Sequence, residues 1–238
     1  MQKLPVLLLP GTLCTGAIFE RQAHALRQVA PSVNVVQFLY EGSIDEMADL
    51  VARHISRDTG AAIVGFSMGG MVAMALARLY PDLLKKLALL NTNFHAELPE
   101  RHAARMKHLA DAKTRGIVNV VAKQYIPQYL HLQDPAHRQL LLNMAKELGT
   151  GCFEAQLEAL ATRPDSEETL RGIECPTLIL GSDNDVLCPP EQHLRMHRMV
   201  RDSDLVLLGS CGHFSTLEQP DAVNSALVNW YSNEAQSR

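Results

Sequence analysis

Residues 61–70 read Ala-Ala-Ile-Val-Gly-Phe-Ser-Met-Gly-Gly, an apolar run that passes directly into a helix-like segment. A short continuous apolar run is typical of a strand buried on both faces. A sharp strand-to-helix turn strains the residue at its centre and lifts that side chain clear of the sheet. Side chains at Gly65 and Gly69 would clash with such a turn, and Gly70 lets the helix approach its neighbours. The pattern predicts that Ser67 is a nucleophile, with a helix-capping serine as the alternative.

The apolar run in this stretch is one of about six along the chain. Strands are predicted at residues 6–9, 33–38, 61–66, 87–90, 177–180 and 205–208. Helical patterns between them cover residues 18–29, 44–57, 68–80, 190–200 and 220–233. Strands that alternate with helices indicate a parallel sheet that is covered on both faces. The predicted fold class is therefore α/β, with a mostly parallel sheet of about six strands and helices on both faces.

Residues 92–170 interrupt this alternation because they contain no convincing strand. Helices are predicted in this stretch at residues 99–115, 117–126, 135–148 and 152–162. Pro176 then precedes the next strand-like run. We therefore expect a helical cap insertion at 92–170, carried by a core formed from residues 1–91 and 171–238.

The loop after the first strand, residues 10–13, reads Pro-Gly-Thr-Leu. Loops at the carboxyl ends of parallel strands gather at one edge of the sheet, so this loop should lie beside Ser67. A glycine there lets a following amide point into a site, where backbone N–H groups stabilise negative charge on a reacting oxygen. We expect an oxyanion hole formed by the amides of Thr12 and Met68, with Leu13 as the alternative to Thr12.

A histidine and an acid follow later strands at the same edge. His213 lies in Ser-Cys-Gly-His-Phe after the last strand, where it can accept the serine proton and return it to a leaving group. The fifth strand is followed by both Asp183 and Asp185. We prefer Asp185 as the acid that orients the imidazole, because Asp-x-x-x-Pro then opens a helix. Asp183 is the alternative.

The composition of the chain limits the classes of molecule that it is expected to bind. Its 238 residues allow one domain with a large core, and 47% apolar with 20% charged residues is ordinary for a globular protein. The formal net charge of -4 argues against nucleic acid, which requires a basic patch. No run approaches the roughly 18 apolar residues of a membrane span. The N-terminal apolar run ends at Pro10-Gly11 without a cleavage site, which argues against a signal peptide.

The five cysteines are scattered along the chain, and no two have Cys-x-x-Cys spacing. This distribution indicates reduced thiols, and therefore a cytoplasmic protein without a zinc site. Cys14 and Cys211 flank the motifs described above and are interpreted as small buried filler residues.

Four segments together closely resemble the α/β-hydrolase superfamily, and in particular its small serine esterases. They are Pro-Gly-Thr-Leu, Gly-Phe-Ser-Met-Gly-Gly, Asp-Val-Leu-Cys-Pro-Pro and Gly-His-Phe-Ser-Thr-Leu-Glu-Gln-Pro, in the family's order. The resemblance implies the α/β-hydrolase fold, with Ser67 as nucleophile, Asp185 as acid and His213 as base. It also implies oxyanion amides from Thr12 and Met68.

Two positions depart from the family pattern. The family's usual His-Gly in the first loop is Pro10-Gly11 in this chain, which changes the neighbour of the expected oxyanion donor. One extra residue separates Gly181 from Asp185, which is why Asp183 is kept as an alternative acid.

The resemblance implies hydrolysis of a small carboxylic ester or thioester through an acyl-enzyme, without a metal or an organic cofactor. The same triad also serves carbon–carbon bond hydrolases, lyases and perhydrolases. The same fold also occurs in non-catalytic small-molecule receptors, so the fold alone does not choose among these activities. The expected partner is a small-molecule ester or related acyl compound, not a nucleic acid or a membrane.

The expected cap supplies Leu, Met, Phe and Tyr side chains, which indicates a partly apolar pocket for a modest acyl or alcohol group. Its basic residues are interpreted as a solvated helix face. Its histidines are interpreted in the same way, although one of them could line the pocket. These residues are Arg105, Lys107, Lys113 and Arg115, and His95, His102, His108, His131 and His137.

Overall fold

Six strands form a single sheet in the computed structural model, which describes residues 3–233. The strands are β1 (Val6–Leu9), β2 (Val33–Val35), β3 (Ala61–Phe66), β4 (Leu84–Leu90), β5 (Thr177–Ser182) and β6 (Ser203–Leu208). They lie in the order β2-β1-β3-β4-β5-β6, and every neighbouring pair is parallel. The predicted α/β class is therefore confirmed. Residues 1–2 and 234–238, at the ends of the expected core, lie outside the described residues.

The strand order reverses next to β1. β1 lies between β2 and β3, so the chain first moves to one side of β1 and then crosses to the other. Leu9 at the end of β1 pairs with Gly65 near the end of β3. Such a reversal opens a crevice at the carboxyl edge of the sheet, between the loops that follow the two strands. The loop of residues 10–13 and the turn at Ser67 are therefore neighbours.

Every residue of β1, β3 and β5 is buried. A strand that is covered on both faces carries a continuous apolar run rather than an alternating one, as these three do. β6 is partly exposed because it lies at the edge of the sheet.

The other edge strand, β2, ends at Val35 instead of the predicted residue 38. Its single partner is β1, which ends at Leu9 and is followed by Pro10. Proline has no N–H group to donate to a neighbouring strand. The amide of Val36 still donates to the Leu8 carbonyl at 3.1 Å, and beyond that residue the ladder has no further donor.

Eleven α-helices occur among residues 3–233. They are α1 (Glu20–Leu26), α2 (Ile44–Arg53), α3 (Met68–Leu79), α4 (Pro99–Arg115), α5 (Ile117–Val120), α6 (Ile126–Tyr129), α7 (Pro135–Ala161), α8 (Glu167–Arg171), α9 (Pro190–Met199), α10 (Ser215–Glu218) and α11 (Pro220–Ser232). α1 packs against α11, and α2 packs against α3. No helix in this part of the chain is long and apolar enough to cross a membrane.

Helices α4 to α7 all lie between β4 and β5, in the stretch where no strand was expected. The predicted helix at 117–126 continues to Tyr129 through a π-helical turn at Val121–Tyr125. The π turn precedes Pro127, whose missing N–H interrupts regular helical bonding. The two helices predicted at 135–148 and 152–162 are the halves of α7, which bends at Gly149 with φ of 75°.

Candidate active site

Ser67 lies at the turn between β3 and α3 with φ of 54° and ψ of −117°. A positive φ is strained for a residue with a side chain and persists only where the surroundings impose it. An added Cβ at Gly65 would lie 2.4 Å from the Gly69 carbonyl oxygen, and one at Gly69 would lie 2.0 Å from the Leu9 carbonyl oxygen. The two glycines therefore let the backbone close tightly around Ser67.

The Ser67 hydroxyl is in hydrogen-bond contact with the base predicted from the sequence. Its Oγ lies 3.0 Å from Nε2 of His213, and Nδ1 of the same ring lies 2.8 Å from Oδ2 of Asp185. His213 and Asp185 are buried, whereas Ser67 is half-buried. The three side chains form one continuous hydrogen-bonded chain from a buried carboxylate to a hydroxyl at the cavity wall.

Asp185 is held by several donors besides His213. Its Oδ1 accepts the amides of Leu187 and Cys188, both at 2.9 Å, and its Oδ2 accepts the Asn91 side-chain amide at 3.0 Å. Burial acts to raise the pKa of Asp185. The positive charge of His213 and the hydrogen bonds from His213, Asn91 and Cys188 outweigh burial and hold that pKa below its ordinary value. Asp185 is therefore ionised at neutral pH.

The alternative acid, Asp183, contacts the backbone of the His213 loop rather than the imidazole. Its carboxylate accepts the amides of Ser210 at 3.0 Å and Cys211 at 3.2 Å. These two hydrogen bonds are the largest cause of its lowered pKa. Asp183 thus holds the loop that carries His213, and the carboxylate that accepts the hydrogen bond from the imidazole is Asp185.

Aromatic rings surround the imidazole of His213. The rings of Phe66, Phe214 and Tyr129 have centroids 5.2, 5.5 and 5.8 Å from it. The backbone amide of His213 also donates to the Tyr129 carbonyl at 2.8 Å. Because Tyr129 belongs to α6, the inserted helices fix the position of the base directly.

Glu218 makes a second connection between the base loop and the inserted helices. Its Oε1 accepts the Gly212 amide at 3.1 Å, and its Oε2 accepts the amides of His131 and Leu132 at 2.8 and 2.9 Å. Burial raises the pKa of Glu218, although these backbone hydrogen bonds act in the opposite direction. The carboxylate joins residues 131–132 to the residue that precedes His213.

The loop after β1 approaches Ser67 closely. An added Cβ at Gly11 would lie 3.0 Å from the Ser67 Cβ, and the Thr12 hydroxyl lies 3.6 Å from the Met68 sulfur. The Leu13 amide donates to Oε1 of Gln156, a fully buried residue of α7, at 2.8 Å. Among residues 3–233, the amides of Thr12 and Met68 have no hydrogen-bond acceptor. Leu13 is therefore occupied, whereas the two preferred donors are available.

A cavity of about 400 Å³ opens beside Ser67. Its walls come from the sheet edge and from α4, α6 and α7, and they include several apolar side chains. These are Val121, Ile126, Leu141, Leu157 and Leu160. Burial raises the pKa of both tyrosines on the wall, to about 12 for Tyr129 and higher for Tyr125, so both phenols are neutral. The cavity therefore has the size of a small-molecule site, with a partly apolar wall.

The interpretation of Arg105 as part of a solvated helix face is wrong. Arg101, Arg105 and His108 all line the cavity, and the Arg105 side chain is only 21% exposed. Spacings of four and three residues place these side chains on one face of α4, and that face packs inward. Lys107, Lys113 and Arg115 are exposed, in agreement with the sequence interpretation.

One group of potential metal ligands occurs within residues 3–233, formed by Asp185, Cys188 and His213, whose donor atoms lie within 4.8 Å of one another. The carboxylate and the imidazole already bond to each other. Burial, the largest cause, and the charge of Asp185 raise the pKa of the Cys188 thiol, which opposes the thiolate form that binds metals. The arrangement supports a proton path better than a metal site.

Two contacting residues were not anticipated from the sequence, although each left a signal. Asn91 directly follows β4, and such a strand-end position lies at the same edge as Ser67. Gln156 lies four residues from both Cys152 and Leu160, on a helix face that is otherwise buried and apolar. A polar side chain on such a face requires buried partners, and Gln156 has two: it accepts from the Leu13 amide and donates to the Phe38 carbonyl.

Several known proteins are similar to this chain. The pimeloyl-[acyl-carrier protein] methyl ester esterase of Neisseria meningitidis serogroup A / serotype 4A is 29% identical over 186 residues, which cover 75% of this chain. The match covers 59% of that relative's length. A thermophilic esterase from Thermogutta terrifontis, solved with malate bound, is 28% identical with a TM-score of 0.86. That match covers 95% of this chain and 89% of the esterase.

The enol-lactonase from Burkholderia xenovorans LB400 shares the fold, with a TM-score of 0.84 at 21% sequence identity. That match covers 98% of this chain and 93% of the lactonase. The sequence profile of the alpha/beta hydrolase family matches residues 6–226, which is most of the chain. This protein belongs to the alpha/beta hydrolase family.

Proposed function

We propose that this protein is a serine hydrolase that cleaves a small carboxylic ester or thioester, with Ser67 as nucleophile, His213 as general base and Asp185 as orienting acid. The observation that carries the proposal is the continuous hydrogen-bonded chain from Asp185 through His213 to the Ser67 hydroxyl, at the wall of the cavity. Nucleophile, base and orienting group within hydrogen-bond reach are the signature of covalent acyl transfer.

In the first step, Ser67 Oγ bonds to the carbonyl carbon while its proton passes to Nε2 of His213. The alcohol or thiol then leaves and takes that proton, which yields an acyl-enzyme. In the second step, His213 removes a proton from water, and the resulting nucleophile releases the acid and restores Ser67. Asp185 fixes the tautomer of the imidazole and stabilises its cation in both steps.

Both tetrahedral intermediates carry a negative oxygen that requires donors. The amides of Thr12 and Met68 are the proposed donors, because they flank Ser67 and have no other acceptor among residues 3–233. Met68 opens α3, and the N-terminus of a helix favours negative charge. The Leu13 amide is committed to Gln156, which disfavours it as the alternative donor.

The esterases named among the relatives support an ester as the substrate. We further propose that residues 92–170 act as a cap over a core of residues 1–91 and 171–238, because their helices supply a large share of the cavity wall. The five cysteines are all free, which supports placing the enzyme in the reducing cytoplasm.

The experiment is hydrolysis of p-nitrophenyl esters of increasing acyl length by the wild type and by Ser67→Ala. We expect Ser67→Ala to lower kcat by about 10⁴-fold or more, with an unchanged unfolding temperature. Ser225→Ala removes an exposed serine and should leave kcat unchanged. No release of p-nitrophenol from any ester, or equal release by Ser67→Ala, would overturn the proposal.

A further inference from the structure

Arg101 and Arg105 lie one turn apart on α4 and both face the cavity that contains Ser67. No Asp or Glu is among the described residues that line this cavity. Burial is the largest cause of the lowered pKa of His108, which therefore contributes no charge there at neutral pH. The charged groups on the inserted helices that face the ligand are thus two arginines.

The two arginines differ in how their charges are balanced. Arg105 forms an ion pair with Glu97 at 2.9 Å, and the almost fully buried Arg163 bonds to the same Glu97 oxygen. One carboxylate therefore serves two guanidinium groups. The cavity side of α4 keeps a positive excess, because no nearby acid among these contacts offsets the second charge.

Arg101 has no ion-pair partner within residues 3–233. Its two terminal nitrogens both lie 3.3 Å from the Leu187 carbonyl, which holds the guanidinium against the loop that follows Asp185. A guanidinium carries five N–H donors in a planar fork, so one carbonyl leaves most of them free. That fork matches the two oxygens of a carboxylate.

We propose that the substrate is an ester whose acyl chain carries a second, ionised carboxylate, and that Arg101, assisted by Arg105, binds this carboxylate. Val121, Ile126 and Leu157 line the same cavity and supply apolar surface for the aliphatic chain that joins the two ends of such a substrate. The acyl part is the part selected because it stays in the cavity through both steps, whereas the alcohol leaves after the first. This inference rests on the proposed ester hydrolysis and names the class of its substrate.

The test compares two p-nitrophenyl esters of equal length, the adipate half-ester with a free carboxylate and its counterpart with a terminal carboxamide. We expect wild type to favour the half-ester in kcat/KM by about tenfold or more, mostly through KM. Arg101→Met should abolish the preference, taken as the ratio of the two kcat/KM values so that a general loss of activity cancels, and Arg101→Lys should restore part of it. Arg115→Met, an exposed position on α4, is the matched control.

Adipate binding to Ser67→Ala, measured by calorimetry, tests the arginines without turnover. Binding that weakens about tenfold or more when Arg101→Met is added, but not when Arg115→Met is added, supports the inference. Ser67-dependent cleavage of the carboxamide ester without any preference for the half-ester would overturn the inference and leave the proposed hydrolysis intact. Absence of cleavage of both esters by an enzyme that cleaves the simple p-nitrophenyl esters would overturn the inference alone, and absence of cleavage of every ester would overturn the hydrolysis. Absence of adipate binding would overturn the arginine site.

Discussion

The sheet edge and the inserted helices above it both contribute to the site, but they position their residues differently. At the sheet edge the backbone does the positioning, since Ser67 is held at φ of 54° between tightly packed glycines. On the inserted helices, the side chain of Arg101 on α4 reaches the cavity wall and that of Gln156 on α7 reaches the Leu13 amide. This division fits the proposed function, in which the sheet edge carries the reacting groups and the inserted helices bind the substrate.

The largest effect is expected from a substitution of Asp185, the orienting acid at the sheet edge. Asp185→Asn keeps the shape of the side chain but no longer favours the imidazole tautomer with its proton on Nδ1. We expect kcat to fall by about 10⁴-fold while KM changes little. Asp183→Asn serves as the matched control and should change kcat only slightly, because Asp183 bonds to the loop backbone. A comparable loss in both variants would show that loop position, not the imidazole contact, is what matters.

The second prediction compares the unfolding free energies of two variants, one at Gly69 beside the sheet edge and one at Gly151 in α7. Gly69→Ala would bring a Cβ to 2.0 Å from the Leu9 carbonyl oxygen, so β1 or α3 must shift. We expect a loss of about 1–3 kcal/mol or more in unfolding free energy. Gly151→Ala meets nothing nearer than the Tyr40 ring at 3.7 Å and should be neutral or stabilising by up to about 1 kcal/mol. Urea titration of both variants measures the contrast; equal losses would contradict it.

The smallest effect is expected at Glu218, where the two regions join. Its pKa is raised by burial, so the folded protein holds this proton more tightly than the unfolded chain does. The stability of wild type relative to Glu218→Gln is therefore greatest below about pH 4.5 and declines as pH rises through the folded pKa.

Unfolding free energies of wild type and Glu218→Gln at pH 4 and pH 7 measure this trend. Glu168→Gln, at an exposed position, is the control and should show no comparable trend. A wild-type advantage that grows toward pH 7 would show that the three backbone hydrogen bonds favour the ionised carboxylate more than burial disfavours it.

Much of the fold follows from local sequence. Continuous apolar runs predict strands because a strand that is covered on both faces carries apolar side chains on both of them. Six parallel strands form the sheet. The strand of residues 33–38 was predicted too long because its end depends on Pro10, which is distant in sequence. The partner strand determines where the hydrogen bonds between two strands end. The apolar run of one strand does not show where its partner ends.

Part of the site can likewise be predicted from the sequence, and part of it depends on packing. Ser67, His213 and Asp185 stand out because each lies in the turn or loop after a strand, and the structure brings their side chains together. Their catalytic roles stay a prediction, as do those of the Thr12 and Met68 amides. The inward side of α4 was missed because Arg101 and Arg105 look like surface residues until the packing of the helix is known.

The hydrogen bonds that α6 and the loop between α6 and α7 make to Glu218 and to the His213 amide use main-chain atoms: the Tyr129 carbonyl and the amides of His131 and Leu132. A main-chain atom is supplied by almost any residue type. The residue types at His131 and Leu132 are therefore free to diverge as substrates change, provided that the backbone follows the same path, whereas Tyr129 also places its ring beside the His213 imidazole. Whether a foreign helical segment can replace this one would depend on the length and direction of its loops. A sequence alignment would not show whether those loops fit.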